Sequence, residues 1–241
     1  MNQYFLSDYQ GGGFQLLGTS HLVALAIVCL ANLSLLLLRS RRYRKLRVYV
    51  GYGLVILLIA SEAAWQIWNL WTGRWSIETM LPLELCGAMT YISALALVTQ
   101  NTVLYPLCYF LGIGGAIAAL LTPAIGMYGF PHFVFVQTFV NHGSIVTTGF
   151  YVAIVERYRP KFKDILQLFI GFNIYAAVVG LINILLGSNY LFLARKPESP
   201  TLFDMLPPWP WYLLHCEALV FLVFLFLYLP FAVQNIFCKK L

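Results

Sequence analysis

The chain has 241 residues, 61% of them hydrophobic and 10% charged, with a mean hydropathy of +0.78. Soluble domains carry about 25% charged residues, so this composition excludes a water-soluble globular protein and indicates an integral membrane protein. The net charge of +6 does not point to nucleic acid, because the basic residues cluster beside apolar runs: six Lys and Arg lie in 39–47, four in 156–164, and Lys239 and Lys240 end the chain.

A spanning helix needs about 20 mostly apolar residues. Seven runs approach that length: 18–38, 48–71, 79–98, 103–121, 132–155, 165–187 and 209–233. With the N-terminus outside and all seven crossing, twelve Lys and Arg fall on the cytoplasmic side and three outside, the bias that sets orientation in membranes. The expectation is an all-α polytopic membrane protein with seven transmembrane helices, a single domain over 1–241 and a cytoplasmic C-terminus. The first eighteen residues lack the basic n-region of a cleavable signal peptide. The five cysteines show neither a disulfide framework nor metal-ligand spacing.

In the first helix, His21 sits near the outer end, where an interfacial position is expected for it and for His132. The second helix carries Glu62, Gln66 and Asn69 on one face, with Trp65, Trp68, Trp71 and Trp75 around its outer end as an aromatic belt. The third opens on Leu81-Pro82-Leu83-Glu84-Leu85-Cys86-Gly87, with the proline expected in its first turn, where a missing N–H is harmless. Thr79, Cys86, Thr90 and Ser93 then form one polar stripe, from which Glu84 points away. The fourth helix pairs Gly112 with Ala116 and Gly115 with Ala119, a spacing that lets helices approach closely.

The fifth helix has a second stripe, Gln137, Asn141, Ser144 and Thr148, with His142 about 100° from its centre. Asn173 and Asn183 lie in the sixth. The Pro-rich segment 188–208 is expected to cap the outer mouth, and His215, Cys216 and Glu217 follow just inside the seventh helix. At a rise of about 1.5 Å per residue, these polar groups converge in the outer half of the bundle. Ionisable groups in hydrocarbon are expensive and mark functional sites by default, so a polar pocket is expected between the second, third, fifth and seventh helices. Two plainer readings stand beside it: a buried Cys behaves as a small hydrophobe, and Glu62, Gln66 and Asn69 equally suit a helix-packing network.

Five motifs in order, Pro82-Leu-Glu-Leu-Cys86-Gly, Phe130-Pro-His132-Phe, Asn141-His142-Gly143, Asn189-Tyr190-Leu-Phe-Leu193 with Lys196-Pro197, and Pro210-Trp211-Tyr212, resemble the YwaF family of bacterial integral membrane proteins over nearly the whole chain. That family is similar to animal multi-pass enzymes that remodel lipid acyl chains, one branch an acyltransferase with a cysteine nucleophile and a remoter one a fatty-acid-ester hydrolase using Thr and His. The resemblance places the cysteine on Cys86, the histidine on His142 and, by a looser match, the threonine on Thr79. It implies a bacterial cell-membrane location.

The expected function is therefore lipid acyl transfer or lipid-ester hydrolysis. Cys86, His142 and Thr79 are the catalytic candidates, and Glu62, Gln66, Asn69, Glu84, Asn141, His215 and Glu217 are the substrate-binding ones. The expected partners are membrane lipids as substrate, with no nucleic acid. No metal or cofactor is implied, since there is neither an HExxH nor a Walker-type glycine loop. The rival is a seven-helix transporter or receptor that binds a small molecule in the same pocket without chemistry, because fold does not dictate function.

Overall fold

The computed structural model describes residues 3–197 and 205–238, the side chains of 41 and 235–238 excepted; Glu198, Asp204, Lys239 and Lys240 fall outside that description. Seven helices and no strand occur among the described residues: α1 Thr19–Ser34, α2 Arg44–Trp71, α3 Leu85–Thr99, α4 Ile113–Leu121, α5 Phe133–Ile154, α6 Phe162–Leu186 and α7 Trp211–Cys238. Four stretches are long and apolar enough to cross a membrane, Thr19–Arg39, Arg44–Trp71, Phe162–Leu186 and Trp211–Gln234. Their outward side chains, among them Ile184 at 80% and Phe226 at 74% exposure, form an apolar surface too extensive for a water-soluble monomer.

Two of the expected helices are shorter than their apolar runs. The third begins at Leu85, not at 79, so Thr79 and Pro82 lie in the turns that precede it. Proline disfavours helical backbone at the residue before it, and Thr79 and Met80 instead donate their N–H groups to the Ser76 carbonyl. The fourth run opens as a π-helical turn, Leu107–Gly112, before α4 continues it.

The central element is α5, with 15 of its 22 residues buried. It packs against α1, α2, α3, α4 and the π turn, while α6 and α7 pack on each other and α7 reaches the core at α4. Close approach depends on missing side chains. A Cβ on Gly149 of α5 would stand 2.7 Å from the Cys108 carbonyl oxygen in the π turn, and one on Gly115 of α4 would stand 2.7 Å from Leu85 Cδ2. The small residues of α4 therefore do serve packing, as their spacing suggested.

The two ends of the bundle differ in character. At one, Leu35 and Leu38 cluster with Leu54, Tyr151 and Val155, which brings the basic stretches 39–47 and 156–164 to the same end. Arg47 closes the α1–α2 connection by donating to the carbonyls of Leu38 at 2.6 Å, Arg39 at 3.0 Å and Ser40 at 3.2 Å. At the other end the N-terminal segment is fastened through three consecutive carbonyls. Trp68 Nε1 donates to Phe5, His132 Nε2 to Leu6 and the Tyr128 hydroxyl to Ser7, at 2.8–3.0 Å.

His21 and His132 are not interfacial; both are fully buried. A neutral imidazole offers one donor and one acceptor, and both are in use in each ring. His21 Nδ1 accepts from Leu17 N–H at 3.0 Å while Nε2 donates to the Leu120 carbonyl at 2.9 Å. His132 Nδ1 accepts from Val134 N–H at 3.1 Å, capping α5.

The glycine contacts give a paired prediction. Gly149→Ala forces α5 away from the π turn and costs about 1–3 kcal/mol, the range for overpacking. Gly171→Ala in α6, where an added Cβ meets nothing within 4 Å, does not lower the melting temperature. Thermal unfolding of the two variants in detergent compares them directly.

Candidate active site

A cavity of about 350 Å³ opens at the end of the bundle that holds the N-terminal segment. Its walls are the C-terminal part of α2, the non-helical segment 77–84, the start of α3, the end of α4 with the loop after it, and the first half of α5. Of the ten residues singled out in the sequence, seven line it: Glu62, Gln66, Thr79, Glu84, Cys86, Asn141 and His142. Asn69, His215 and Glu217 do not, and α7 contributes none of the lining among the described residues. Asn69 instead organises the end of α2, where its carbonyl accepts from the N–H groups of Arg74 and Trp75. His215 is exposed on α7, its Nδ1 bonded to the Trp211 carbonyl one turn earlier. The seventh-helix wall was inferred from depth alone, and depth does not say which way a helix face is turned.

His142 is held by its own helix. Its Nδ1 lies 2.8 Å from the Thr138 carbonyl oxygen, which can only accept. Nδ1 therefore carries the proton, and in the neutral ring Nε2 keeps the lone pair. Nε2 has no hydrogen-bond partner among the described residues, so the group that orients the ring is the Thr138 backbone carbonyl. Cys86 is the second residue of α3, half-buried and a free thiol. Its Sγ lies 4.0 Å from where Gly115 would carry a Cβ, so the missing side chain on α4 leaves room beside the sulfur.

Asn141 ties three helices together. Its Nδ2 donates to Ser61 Oγ on α2 at 3.1 Å, and its Oδ1 accepts from Thr90 Oγ1 on α3 at 3.1 Å. The Cys86 carbonyl lies 2.9 Å from the same Thr90 Oγ1, so one hydroxyl proton is shared between Asn141 and the backbone of the cysteine. The Gln66 carboxamide is fully engaged. Nε2 donates to Glu62 Oε1 at 2.8 Å and to the Met80 carbonyl at 3.1 Å, while Oε1 accepts from Trp75 Nε1 at 2.8 Å. Gln66 thus fastens segment 77–84 to α2 and leaves its neighbour Glu62 with one oxygen free of it.

The same segment is fastened from its other side. The Tyr190 hydroxyl accepts from Leu81 N–H at 2.9 Å and donates to the Ile77 carbonyl at 2.7 Å. Tyr175 of α6 donates to the Leu83 carbonyl at 2.8 Å, and Glu84 accepts from Leu191 N–H at 3.1 Å. Glu84 is the N-cap residue of α3 by position, without a side-chain cap bond. Just before the segment, the Ser76 hydroxyl donates to Glu78 and holds that carboxyl below the usual range. Sequence reading missed Trp65, Pro123, Ala124 and Ile125 as lining residues; three are apolar loop positions with no chemical signal, and Trp65 was assigned to the aromatic belt.

A thiol, two threonine hydroxyls, an imidazole with a free lone pair and two carboxylates thus share one cavity, whose lining contains no Lys or Arg among the described residues. No group of three or more metal-ligating side chains occurs among the described residues. The Asn141 bridge is testable as a structural element. Asn141→Leu removes two interhelical hydrogen bonds and lowers stability by about 1–3 kcal/mol, since such bonds are worth about 0.6–1.7 kcal/mol each in membranes; thermal unfolding in detergent measures the loss.

Comparison with curated proteins and with solved structures finds no match. Comparison with protein families finds the TMEM164 family, a multi-pass membrane family, over residues 16–228. The match runs from just before α1 to nearly two thirds of the way along α7, most of the chain, and includes every residue that lines the cavity. The four long apolar helices agree with it: the chain is an integral membrane protein and belongs to the TMEM164 family.

Proposed function

We propose that the protein is a membrane enzyme that moves or hydrolyses a lipid acyl group through a thioester on Cys86. The observation that carries this reading is that Cys86 from α3 and His142 from α5 line one cavity, with the imidazole held through Nδ1 so that Nε2 keeps its lone pair. In the first half-reaction Nε2 takes the thiol proton and the thiolate attacks an ester carbonyl. The ester C–O bond breaks, the leaving alcohol takes the proton from the imidazolium, and the acyl group stays on sulfur. In the second, water or a lysolipid hydroxyl gives its proton to Nε2 and attacks the thioester, and the sulfur leaves and is reprotonated. The cycle balances without an external reactant.

The tetrahedral oxyanion of each half-reaction forms beside the first turn of α3, where helix N–H groups have no intrahelical partner; preorganised donors at such a point are a large source of rate. The resemblance to the YwaF family and its lipid-remodelling relatives favours Cys86 as nucleophile. Thr79, in the turn segment that leads into α3 and lines the same cavity, is the second candidate. A thiol needs less help from a base than a hydroxyl does. In this reading the seven helices cross a bacterial cell membrane with the N-terminus outside, and the cavity lies in the outer half. The bases for this are the two basic connections that share the end away from the cavity and the preference of such residues for the cytoplasmic side.

Two experiments test the proposal. Purified protein with a labelled phospholipid and a lysolipid acceptor should yield a transferred or released acyl chain. Cys86→Ala and His142→Ala should each reduce turnover by more than about a thousandfold while keeping the melting profile, because members of a catalytic unit are not partially dispensable. Full activity in folded Cys86→Ala would falsify the thioester route and transfer the role to Thr79. Absence of turnover with saturable lipid binding would favour the carrier or receptor reading. For orientation, cysteines placed one at a time in 39–47 should react with an impermeant maleimide only from the cytoplasmic face.

A further inference from the structure

The motif Asn189-Tyr190 takes no part in the chemistry just described, yet Tyr190 is among the most buried side chains in the molecule, 1% exposed. We propose that Tyr190 is a positioning residue: its hydroxyl holds the cavity wall 77–84 where α3 must begin for Cys86 to face the cavity. The catalytic consequence rests on the proposed function; the mechanical part does not.

Segment 77–84 is non-helical backbone that walls the cavity, with Ile77, Glu78, Thr79 and Pro82 exposed and the rest half-buried; in membrane proteins such backbone is tolerated where it lines a cavity and its polar groups are paired. A phenol can accept and donate at once. Tyr190 uses both capacities on this segment, bridging the Leu81 N–H to the Ile77 carbonyl four residues earlier. Thr79 lies between those two residues, so one hydroxyl fixes the segment that carries Thr79 and leads into Cys86.

Tyr190 is itself held rigidly. Asn183, at 4% exposure, donates from Nδ2 to the Tyr190 carbonyl at 2.9 Å and accepts from its N–H at 2.8 Å, while Ser188 donates to the same Oδ1 at 2.7 Å. The next two residues, Leu191 at φ +57° and Phe192 at φ +53°, are in the left-handed region that side chains disfavour. Such strain persists only where its surroundings over-determine it, and it clusters at clamps and active sites. Here the left-handed turn presents Leu191 N–H to the Glu84 carboxylate, immediately before α3. Tyr190 therefore holds the middle of the wall, and the residue after it holds the end.

The test reads Cys86 directly. In a protein whose other four cysteines are replaced, the rate of Cys86 alkylation by N-ethylmaleimide is measured in detergent, with the melting temperature and with kcat and KM for lipid. Tyr190→Phe should raise the alkylation rate and lower kcat by about tenfold each, as expected for freeing two part-buried backbone groups, with KM little changed. Tyr158→Phe is the matched control: it removes a tyrosine hydroxyl bonded to Asp164 Oδ2 at 2.6 Å at the opposite end of the bundle, and it should leave the alkylation rate unaltered. If Tyr190→Phe does not fold, Glu84→Gln, which weakens the Leu191 anchor, should raise the rate in the same direction by less. An unchanged rate in the folded variant, or an equal change in Tyr158→Phe, overturns the proposal. A raised rate in a protein that turns over no lipid supports the positioning role and removes the catalytic reading alone.

Discussion

Backbone that leaves the helix inside an apolar bundle must find partners for its N–H and C=O groups, because each unpaired one costs as much as a lost hydrogen bond and neither lipid nor aliphatic side chains can supply it. Here that constraint falls on residues 77–84. Gln66 takes the Met80 carbonyl from the α2 side, and Tyr190 and Tyr175 take Ile77, Leu81 and Leu83 from the other. The wall of the cavity is turn backbone there and not helix, and Thr79 to Pro82 and Glu84 line it directly. Site and fold are one problem at this point.

Around that wall the bundle is assembled by two different means. On the side of α4, close packing dominates: Gly149 leaves no room for a Cβ, Gly112 and Gly115 let Ile145 and Leu85 approach closely, and the π turn brings the Cys108 carbonyl against α5. On the side of α2 and α3, polar bridges dominate, with Asn141 joining Ser61 to Thr90. The division follows from chemistry. Helices in lipid gain nothing from hydrophobicity against one another, so they associate through van der Waals contact between small residues or through hydrogen bonds. The polar set then has to be shielded from lipid, which is why α5 carries it at the centre of the molecule, and its surplus members face the cavity.

Histidine shows how position changes the meaning of a residue type. His21, His132 and His142 all use a backbone carbonyl as a hydrogen-bond acceptor. In His21 and His132 the second ring nitrogen accepts from a backbone N–H, so the ring is a structural pin between distant segments. In His142, which lines the cavity, the second nitrogen has no hydrogen-bond partner among the described residues. Only the last arrangement offers a base, and no sequence pattern distinguishes it from the other two.

How much of this was legible in the chain can be argued residue by residue. Composition determined the membrane class, and apolar runs marked out seven helices, four of them in stretches that have the length and hydropathy a crossing demands. Helical periodicity determined that Gln137, Asn141, Ser144 and Thr148 share a face and that Glu62 and Gln66 stand together, since 100° per residue is a local property. Tertiary structure alone decided which faces meet. It turned His215 away from the cavity, used Asn69 to close α2, started α3 six residues late and brought Pro123 to Ile125 into the lining. The partners of segment 77–84 lie up to 113 residues away along the chain, and contacts at that range are set by packing, on which local pattern carries no information.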